Sequence, residues 1–144
     1  MDGARDAGEF SATRDSFSIM STQLILLVSS DAAAVEAVRA AMEKSRRELR
    51  HLASDYGAMA VIHAAGPQAS LALVDLDPAL HGLELCRAAA QHMPVIALLG
   101  GADGGTEESA REHGACGCLR KPLDPPRVRA LLDETLGVEA PLEL

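Results

Sequence analysis

The composition of the 144-residue chain already excludes several classes of protein. Hydrophobic residues make up 48% of it and charged residues 24%, a balance typical of a folded globular domain rather than a disordered chain. The net charge of −8 at pH 7 disfavours binding to the phosphate backbone of nucleic acids. Only 2% of the residues are aromatic, so the chain has almost no rings to stack on bases, and its core must be aliphatic.

The sequence shows no pattern for export or membrane insertion. No apolar run approaches the roughly 18 residues that a membrane-spanning helix requires. The first residues mix charged and small side chains without the apolar stretch of a signal peptide. We therefore expect a cytoplasmic protein without membrane contact, whose three cysteines are reduced. Residues 1–21 are predicted to be a flexible, disordered leader, residues 22–138 a single domain, and residues 139–144 a C-terminal tail.

From residue 24 onward, apolar runs of strand length alternate with segments of helical character. Strands are predicted at residues 24–28, 48–53, 71–75, 94–99 and 116–120. Helices are predicted at residues 32–45, after an N-cap at Asp55, at 83–91, at 106–113, and after an N-cap at Asp124. Continuous rather than alternating apolarity is typical of strands that are buried on both faces of a parallel sheet. The alternation predicts an α/β fold, a doubly wound (βα)5 flavodoxin-like domain with a five-stranded parallel sheet.

Functional side chains of a doubly wound sheet collect beyond the carboxyl ends of its strands. Polar residues follow the first, third and fifth predicted strands at that edge: Ser29, Ser30, Asp31, Asp75, Asp77 and Lys121. Asp31 also has the residue type and position of a helix N-cap. Because Asp75 and Lys121 carry opposite charges at the same edge, we expect them to form an ion pair.

With these features, residues 23–137 resemble the response-regulator receiver domain of two-component signalling. The resemblance rests on the strand that ends at Asp75 and the helix after it, on the fourth strand at residues 94–99, and on the dipeptide Lys121-Pro122. The order and spacing of these motifs carry the resemblance, since none of them is specific alone. In this family the Lys-Pro peptide bond is usually cis.

The resemblance implies a phosphorylation mechanism. Asp75 matches the aspartate that accepts a phosphoryl group from a histidine kinase, and Lys121 matches the lysine that contacts this group. In the family, an acidic pair after the first strand holds Mg²⁺. A Thr or Ser after the fourth strand and an aromatic residue on the fifth strand then reshape the face formed by the fourth helix, fifth strand and fifth helix. The resemblance also implies a protein partner, such as a histidine kinase or a downstream regulator, and allows a homodimer through that face.

The chain departs from the family pattern at the positions that perform this chemistry. The acidic pair falls on Ser29 and Ser30, the Thr/Ser position on Leu99, and the aromatic position on Cys118. A leucine cannot hydrogen-bond a phosphoryl oxygen, and a cysteine does not replace a rotating ring. The switching chemistry is therefore altered at each of these positions.

The magnesium site is altered in the same way. Mg²⁺ prefers an octahedral oxygen shell that includes carboxylates, and Asp75 with two serine hydroxyls is a poor shell. Asp31 and Asp77 are the nearest carboxylates that could substitute. We expect no cofactor, or at most weak binding of magnesium by Asp75, Asp31 and Asp77.

These observations predict a stand-alone, receiver-like signalling module that acts by protein–protein interaction and is not an enzyme. It would be a pseudo-receiver, since the loss of the acidic pair argues against phosphorylation of Asp75. The alternative is a functional response regulator that a histidine kinase phosphorylates on Asp75. A third hypothesis is an aspartate-nucleophile phosphatase in which Asp75 attacks and Asp77 acts as acid and base. That class needs a later acidic pair for its metal, which no later apolar strand supplies.

Three further motifs have a structural explanation beside a functional one. His113, Cys116 and Cys118 suggest a metal or redox site, but small packing thiols are the default on a strand. The glycine-rich loop at residues 100–105 lacks the Lys-Ser/Thr of a phosphate-binding loop. The basic run at residues 44–51 is interpreted as a solvated helix end, with a docking patch for an acidic partner as the alternative.

Overall fold

Five segments of the chain form one parallel sheet. The computed structural model describes residues 22–53, 56–76, 79–100 and 106–139. Its strands are β1 (Leu24–Val28), β2 (Glu48–Leu52), β3 (Ala69–Asp75), β4 (Val95–Leu99) and β5 (Gly117–Arg120). Their order is β2-β1-β3-β4-β5, and all neighbouring strands pair in parallel. The strand order therefore reverses between β1 and β3, where side chains beyond the carboxyl ends face a crevice.

Helices cover both faces of this sheet. They are α1 (Ala32–Ala41), α2 (Tyr56–Ala65), α3 (Ala79–Ala90), α4 (Thr106–Glu112) and α5 (Pro125–Leu136). Buried residues of α1 and α5 pack on one face of the sheet, and buried residues of α2, α3 and α4 pack on the other. This architecture confirms the predicted doubly wound fold. None of the helices in the described ranges is long and apolar enough to cross a membrane.

The core divides between the two faces because successive residues of a strand point in opposite directions. In β1, Leu24, Leu26 and Val28 contact the cluster of α2, α3 and α4. The two residues between them, Ile25 and Leu27, contact the cluster of α1 and α5. All five residues of β1 are buried, as the continuous apolar run predicts. Among the described residues the core consists of Leu, Ile, Val, Ala, Met and Cys, in line with the low aromatic content.

Some of the predicted helix termini and caps were wrong or incomplete. The first helix ends at Ala41 instead of residue 45, because the chain turns at 42–44 and Lys44 adopts a positive φ of 63°. The third helix begins at Ala79, four residues before the prediction of 83. Asp124 is the N-cap residue of α5, but its side chain makes no capping hydrogen bond. Asp31, by contrast, caps α1 as predicted, with its carboxylate accepting hydrogen bonds from the first turn.

The interpretation of the basic run as a solvated helix end is wrong. Residues 44–51 lie in the turn after α1 and in strand β2, an edge strand. Arg47, in the middle of the run, is only 6% exposed. A buried arginine needs partners for its charge, so this residue is part of a structural or binding cluster.

Several of the sequence predictions fall outside the described residues. They are the leader at residues 1–21, the cap at Asp55, the carboxylate of Asp77, the glycine-rich loop from residue 101 to 105, and the last residues from 140 onward.

Gly82 in α3 lies so close to the end of β3 that a side chain there would collide with the backbone. A Cβ atom at this position would lie 2.6 Å from the Cα of Leu76 and 2.7 Å from the carbonyl oxygen of Asp75. We expect Gly82→Ala to lower the free energy of unfolding by about 1–3 kcal/mol, since backbone atoms cannot move aside as a side chain does. Urea denaturation measures this.

Gly100 provides the matched control for this substitution, because a Cβ atom there has no neighbour within 4 Å among the described residues outside its own chain neighbours. Gly100→Ala should change the free energy of unfolding by no more than about 0.5 kcal/mol. Equal stability of the two variants would contradict the close approach of α3 to β3.

Candidate functional site

The carboxylate of Asp75 lies at the end of β3, in the crevice between β1 and β3. Asp75 is 1% exposed, although it ends a strand. It pairs in register with Leu98 of β4, and β3 has β1 as its neighbour on the other side. A buried carboxylate is costly unless hydrogen bonds and a counter-charge compensate for the lost hydration. The neighbours of Asp75 supply both.

Lys121 is the counter-charge. Its Nζ donates to Oδ2 of Asp75 at 2.7 Å and to Oδ2 of Asp31 at 3.0 Å. The backbone N–H of Lys121 donates to the carbonyl of Leu99 at 2.9 Å, which fixes the residue directly beyond the end of β5. The peptide bond from Lys121 to Pro122 is cis. The structure therefore contains the predicted pair of Asp75 and Lys121, and it adds Asp31, which the sequence interpretation did not connect to Lys121.

Ser29 is the second partner of Asp75. Its side-chain hydroxyl donates to Oδ2 of Asp75 at 2.7 Å and accepts a hydrogen bond from the backbone N–H of Asp31 at 3.0 Å. Ser29 is fully buried. Because its hydroxyl hydrogen is directed to Asp75, the serine acts as a neutral donor at the position where the resemblance implies an acid. Ser30, the other altered position, is exposed.

Sequence interpretation missed one residue that holds this site together. The Nε2 atom of His51 lies 2.7 Å from the carbonyl oxygen of Ser29, so this nitrogen is the protonated donor. The backbone N–H of Ser29 in turn donates to the carbonyl of Leu52 at 3.0 Å. His51 belongs to the end of β2, which neighbours β1 in the sheet. Its place at the carboxyl end of a strand was the available signal, and the sequence interpretation assigned the histidine to a basic run instead.

Both carboxylate oxygens of Asp31 have partners. Oδ1 accepts the backbone N–H groups of Ala33 and Ala34 at 3.0 and 3.4 Å, while Oδ2 accepts from Lys121. The hydrogen bond from Lys121 is the main reason that the pKa of Asp31 lies below its ordinary value, and the two amides add to it against an opposing effect of burial. Asp31 therefore connects the start of α1 to the ion pair.

The charge state of Lys121 is stabilised by the same contacts. Burial by itself would lower the pKa of Lys121, but the hydrogen bonds and charges of Asp75 and Asp31 outweigh it and raise that pKa. Lys121 is thus a permanent cation between two carboxylates at neutral pH.

The described residues at this edge do not fit a magnesium ion. The ammonium group of Lys121 lies within 3.0 Å of the carboxylates of Asp31 and Asp75, the groups that a divalent ion would have to share. Ser29 adds a neutral hydroxyl that already donates to Asp75. Across the described ranges, no group of three or more His, Cys, Asp or Glu side chains is arranged to hold a metal ion. Mg²⁺ needs a near-octahedral set of oxygens, and Ser29, Asp31 and Asp75 as described here do not offer this set.

The two altered switch positions lie on the sheet beside the crevice. Leu99 is fully buried at the end of β4, in the cluster of α2, α3 and α4. Cys118 on β5 is half-buried against the same cluster, and burial is the main cause that raises its pKa. Burial, with a smaller effect of the neighbouring Cys118, raises the pKa of Cys86 to about 12. At neutral pH both thiols are protonated packing groups.

The face formed by α4, β5 and α5 carries mixed charge. A groove of about 420 Å³ lies there, with Cys118 and Arg127 among its lining residues. Glu107 of α4 pairs with Arg111 at 3.3 Å and with Arg120 of β5 at 3.6 Å. Both pairs are about half exposed and contribute little to stability. A homodimer through this face stays a prediction.

Comparisons with known proteins identify the fold. No protein-family model matches the chain, and no curated protein matches it in sequence. Among solved structures, a response regulator from Thermotoga maritima has 17% identity and a TM-score of 0.71, covering 82% of this chain and 100% of its own. A response regulator receiver protein from Burkholderia phymatum has 24% identity and a TM-score of 0.68, covering 84% and 100%.

A CheY-like receiver domain protein from Methanospirillum hungatei JF-1 is similar as well, with 24% identity, a TM-score of 0.64, and coverage of 79% of this chain and 93% of its own. The chain thus has the flavodoxin-like fold of response-regulator receiver domains, at a level of identity that is informative for the fold alone.

Removing Lys121 should be strongly destabilising, because it leaves a buried carboxylate without its counter-charge. We expect Lys121→Met to lower the free energy of unfolding by about 3 kcal/mol at neutral pH. Combining it with Asp75→Asn should restore part of this loss, with a coupling of more than about 1 kcal/mol in the double-mutant cycle. Denaturation by urea measures each variant. The exposed Lys44 is the control: Lys44→Met should change stability little, and an equal loss in both variants would contradict the role of the ion pair.

Proposed function

We propose that this chain is a receiver-like signalling module that acts through protein–protein contact as a pseudo-receiver, without depending on phosphorylation of Asp75. The observation that carries the proposal is the closed network of Ser29, Asp75 and Lys121, in which hydrogen bonds of 2.7 Å from the hydroxyl and from the ammonium group converge on one oxygen of the buried aspartate. The fold supports the receiver-like part of the proposal, and the altered site supports the rest.

Phosphorylation of an aspartate needs a nucleophilic oxygen and a cation that neutralises the transferred phosphoryl group. Protein catalysis of phosphoryl transfer consists chiefly of positioning and charge stabilisation, much of which the metal ion supplies. Here the only cation at the site is Lys121, within the described residues, and its charge is already balanced by Asp31 and Asp75. The oxygens of a phosphoryl group would therefore meet a site without surplus positive charge.

The switch positions support the same conclusion. Leu99 offers no hydroxyl that could follow a phosphoryl group, and it is fully buried in the core. Cys118 offers no ring that could turn inward between two rotamers. A signal would therefore be carried by the surface of the domain in one conformation. Its partner would be a protein such as a histidine kinase or a downstream regulator.

A functional phosphoacceptor is the second candidate, and one observation favours it. Asp75 and Lys121 occupy the positions of the phosphoacceptor and of the phosphate-contacting lysine, with their polar atoms 2.7 Å apart. In that case Asp31 would have to release Lys121 and turn to the metal, at the cost of the helix cap that its carboxylate now provides.

Acetyl phosphate and beryllium trifluoride distinguish the two candidates. We expect that the protein, incubated with either reagent and Mg²⁺, forms no adduct in intact-mass measurements and shows no change in its amide NMR spectrum. An adduct that forms on the unmodified chain and is lost in Asp75→Asn would contradict the pseudo-receiver proposal and favour the phosphoacceptor.

Restoring one acid at the site should restore sensitivity to magnesium. Ser29→Asp places a second carboxylate beside the buried Asp75, so we expect a lower melting temperature without metal because like charges repel. Addition of Mg²⁺ should then raise the melting temperature of this variant by about 3 °C or more, because the ion binds only the folded state.

The unmodified chain and the control Thr22→Asp, at an exposed position before β1, should not respond to Mg²⁺. Scanning calorimetry with and without the ion makes the comparison. A Ser29→Asp variant that does not respond would contradict the missing acid as the cause of the lost metal site.

A further inference from the structure

A second cluster of charged residues lies at the opposite end of the sheet from Asp75, where β1 and β2 begin. The backbone N–H of Glu48, at the start of β2, donates to the carbonyl of Gln23, the residue before β1, at 2.8 Å. Arg47 lies next to this contact, and its side chain is only 1% exposed. The C-terminal end of α5 reaches the same place, since Arg47 pairs there with Asp133 at 2.9 Å.

The carboxylate of Glu139 is enclosed by donors from two separate parts of the chain. Its Oε1 accepts from the backbone N–H of Arg46 at 2.7 Å, and its Oε2 accepts from the hydroxyl of Ser45 at 2.7 Å. Nη2 of Arg129 lies 3.1 Å from Oε2, and Nη1 of Arg47 lies 3.5 Å from the same oxygen. The side chain of Glu139 is only 10% exposed. A carboxylate with both oxygens bound by neutral and cationic donors is recognised by shape as well as by charge.

The turn after α1 is shaped to present these donors. Lys44 adopts a positive φ of 63°, a conformation that residues other than glycine rarely adopt, and reverses the chain after the helix. Ser45 follows, and its hydroxyl oxygen accepts the backbone N–H of Arg47 at 3.0 Å, so the hydroxyl hydrogen is directed to Glu139. The backbone N–H of Arg46 donates to the other carboxylate oxygen of Glu139.

Arg47 contacts the backbone of the C-terminal segment as well as its carboxylate. Its Nη2 donates to the carbonyl of Gly137 at 2.6 Å, and its Nε donates to the side chain of Gln23 at 2.9 Å. Gly137, at the end of α5, has a positive φ of 92°, which turns the chain out of the helix and toward this arginine. Arg47 thus binds a main-chain carbonyl and a side chain two residues later, which is a way to recognise an extended peptide rather than a single charge.

We propose that this cluster is a recognition site for glutamate on an extended peptide segment, and that Gly137–Glu139 of this chain occupies it as a latch between the end of α5 and the turn before β2. We call this cluster the glutamate site and define it by its donors, Ser45, Arg46, Arg47 and Arg129. The ligand class is an acidic peptide whose glutamate lies two residues after the carbonyl that Arg47 binds. The site is independent of Asp75, so its test does not depend on the phosphorylation state.

The charges at the glutamate site explain why it selects a carboxylate. Arg47 and Arg129 supply two positive charges, and Asp133 and Glu139 balance them. Burial opposes ionisation of Glu139, but the hydrogen bonds of Ser45 and Arg46 and the charges of Arg47 and Arg129 together hold its pKa below its ordinary value. The stabilisation from Glu139 is therefore present above the pKa of an unfolded glutamate and is lost as the pH falls through the lowered value.

The first experiment uses the full chain with Glu139→Gln and Glu139→Asp, and measures hydrogen exchange of the Arg46 amide by NMR. The glutamine removes the charge, and the aspartate is one methylene too short to reach Ser45 and Arg46 together. In both variants we expect the Arg46 amide to exchange about tenfold faster, the effect of losing one charge-assisted hydrogen bond. In the unmodified chain, the protection of the Arg46 amide relative to its intrinsic exchange rate should fall in the same way as the pH is lowered through the pKa of Glu139 in the folded protein.

Glu134→Gln is the matched control, since Glu134 is an exposed glutamate of α5, the helix that precedes Glu139. This variant should leave the Arg46 amide unchanged. Unchanged exchange in Glu139→Gln, or equal acceleration in the control, would overturn the proposal.

The second experiment tests recognition of a separate peptide. The full chain with Glu139→Ala is titrated with a peptide of the sequence of residues 137–144, and with the same peptide carrying glutamine in place of its first glutamate. We expect saturable shifts of the Ser45 and Arg46 amides with the first peptide only, and no shifts with the unmodified chain, whose site is occupied. Equal shifts by both peptides, or none by either at millimolar concentration, would overturn recognition of glutamate by this site.

Discussion

The buried carboxylate of Asp75 is the constraint on which the crevice depends. A charge that is 1% exposed at the centre of a parallel sheet must be neutralised by its surroundings, and Lys121 and Ser29 supply the charge and the hydrogen bond. Each of these partners is fixed by a different strand: Lys121 follows β5, and Ser29 follows β1. The ends of three strands are therefore held together by one carboxylate, whatever further role the site has.

Asp31 extends this constraint to a helix. It caps α1 with one oxygen and pairs with Lys121 through the other. Asp31 therefore joins the site to the first helix. Both of its carboxylate oxygens already accept hydrogen bonds. For this reason Asp31 does not replace the missing acidic pair as a metal ligand, although it follows Ser29 and Ser30 directly in the sequence. Among the residues that the structure describes here, Ser29 is neutral and Asp31 is already paired, so the ammonium group of Lys121 is the cation at the site.

Those features that depend on local signals could be predicted from the sequence. The continuous apolar run of β1 predicts a buried strand, and opposite charges at the carboxyl ends of strands predict the pair of Asp75 and Lys121. The start of α3 could not be predicted in this way. Glycine disfavours a helix, but Gly82 lies inside α3 because the end of β3 leaves no room for a Cβ atom there. The hydrogen bond of His51 and the burial of Arg47 depend on which strands are neighbours and on where the chain turns after α1. No local pattern encodes these properties, so they required the three-dimensional structure.

Strand β1 has a consequence for how the two ends of the domain relate to one another. Gln23, before the strand, contacts Arg47 at one end, and Ser29, after the strand, contacts Asp75 at the other. Between them lie five buried residues that span about 17 Å, at roughly 3.3 Å per residue. Because β1 is buried and paired with a neighbouring strand on each side, a shift of the strand along its axis would displace Gln23 and Ser29 together. One strand therefore sets the distance between the two clusters and joins them.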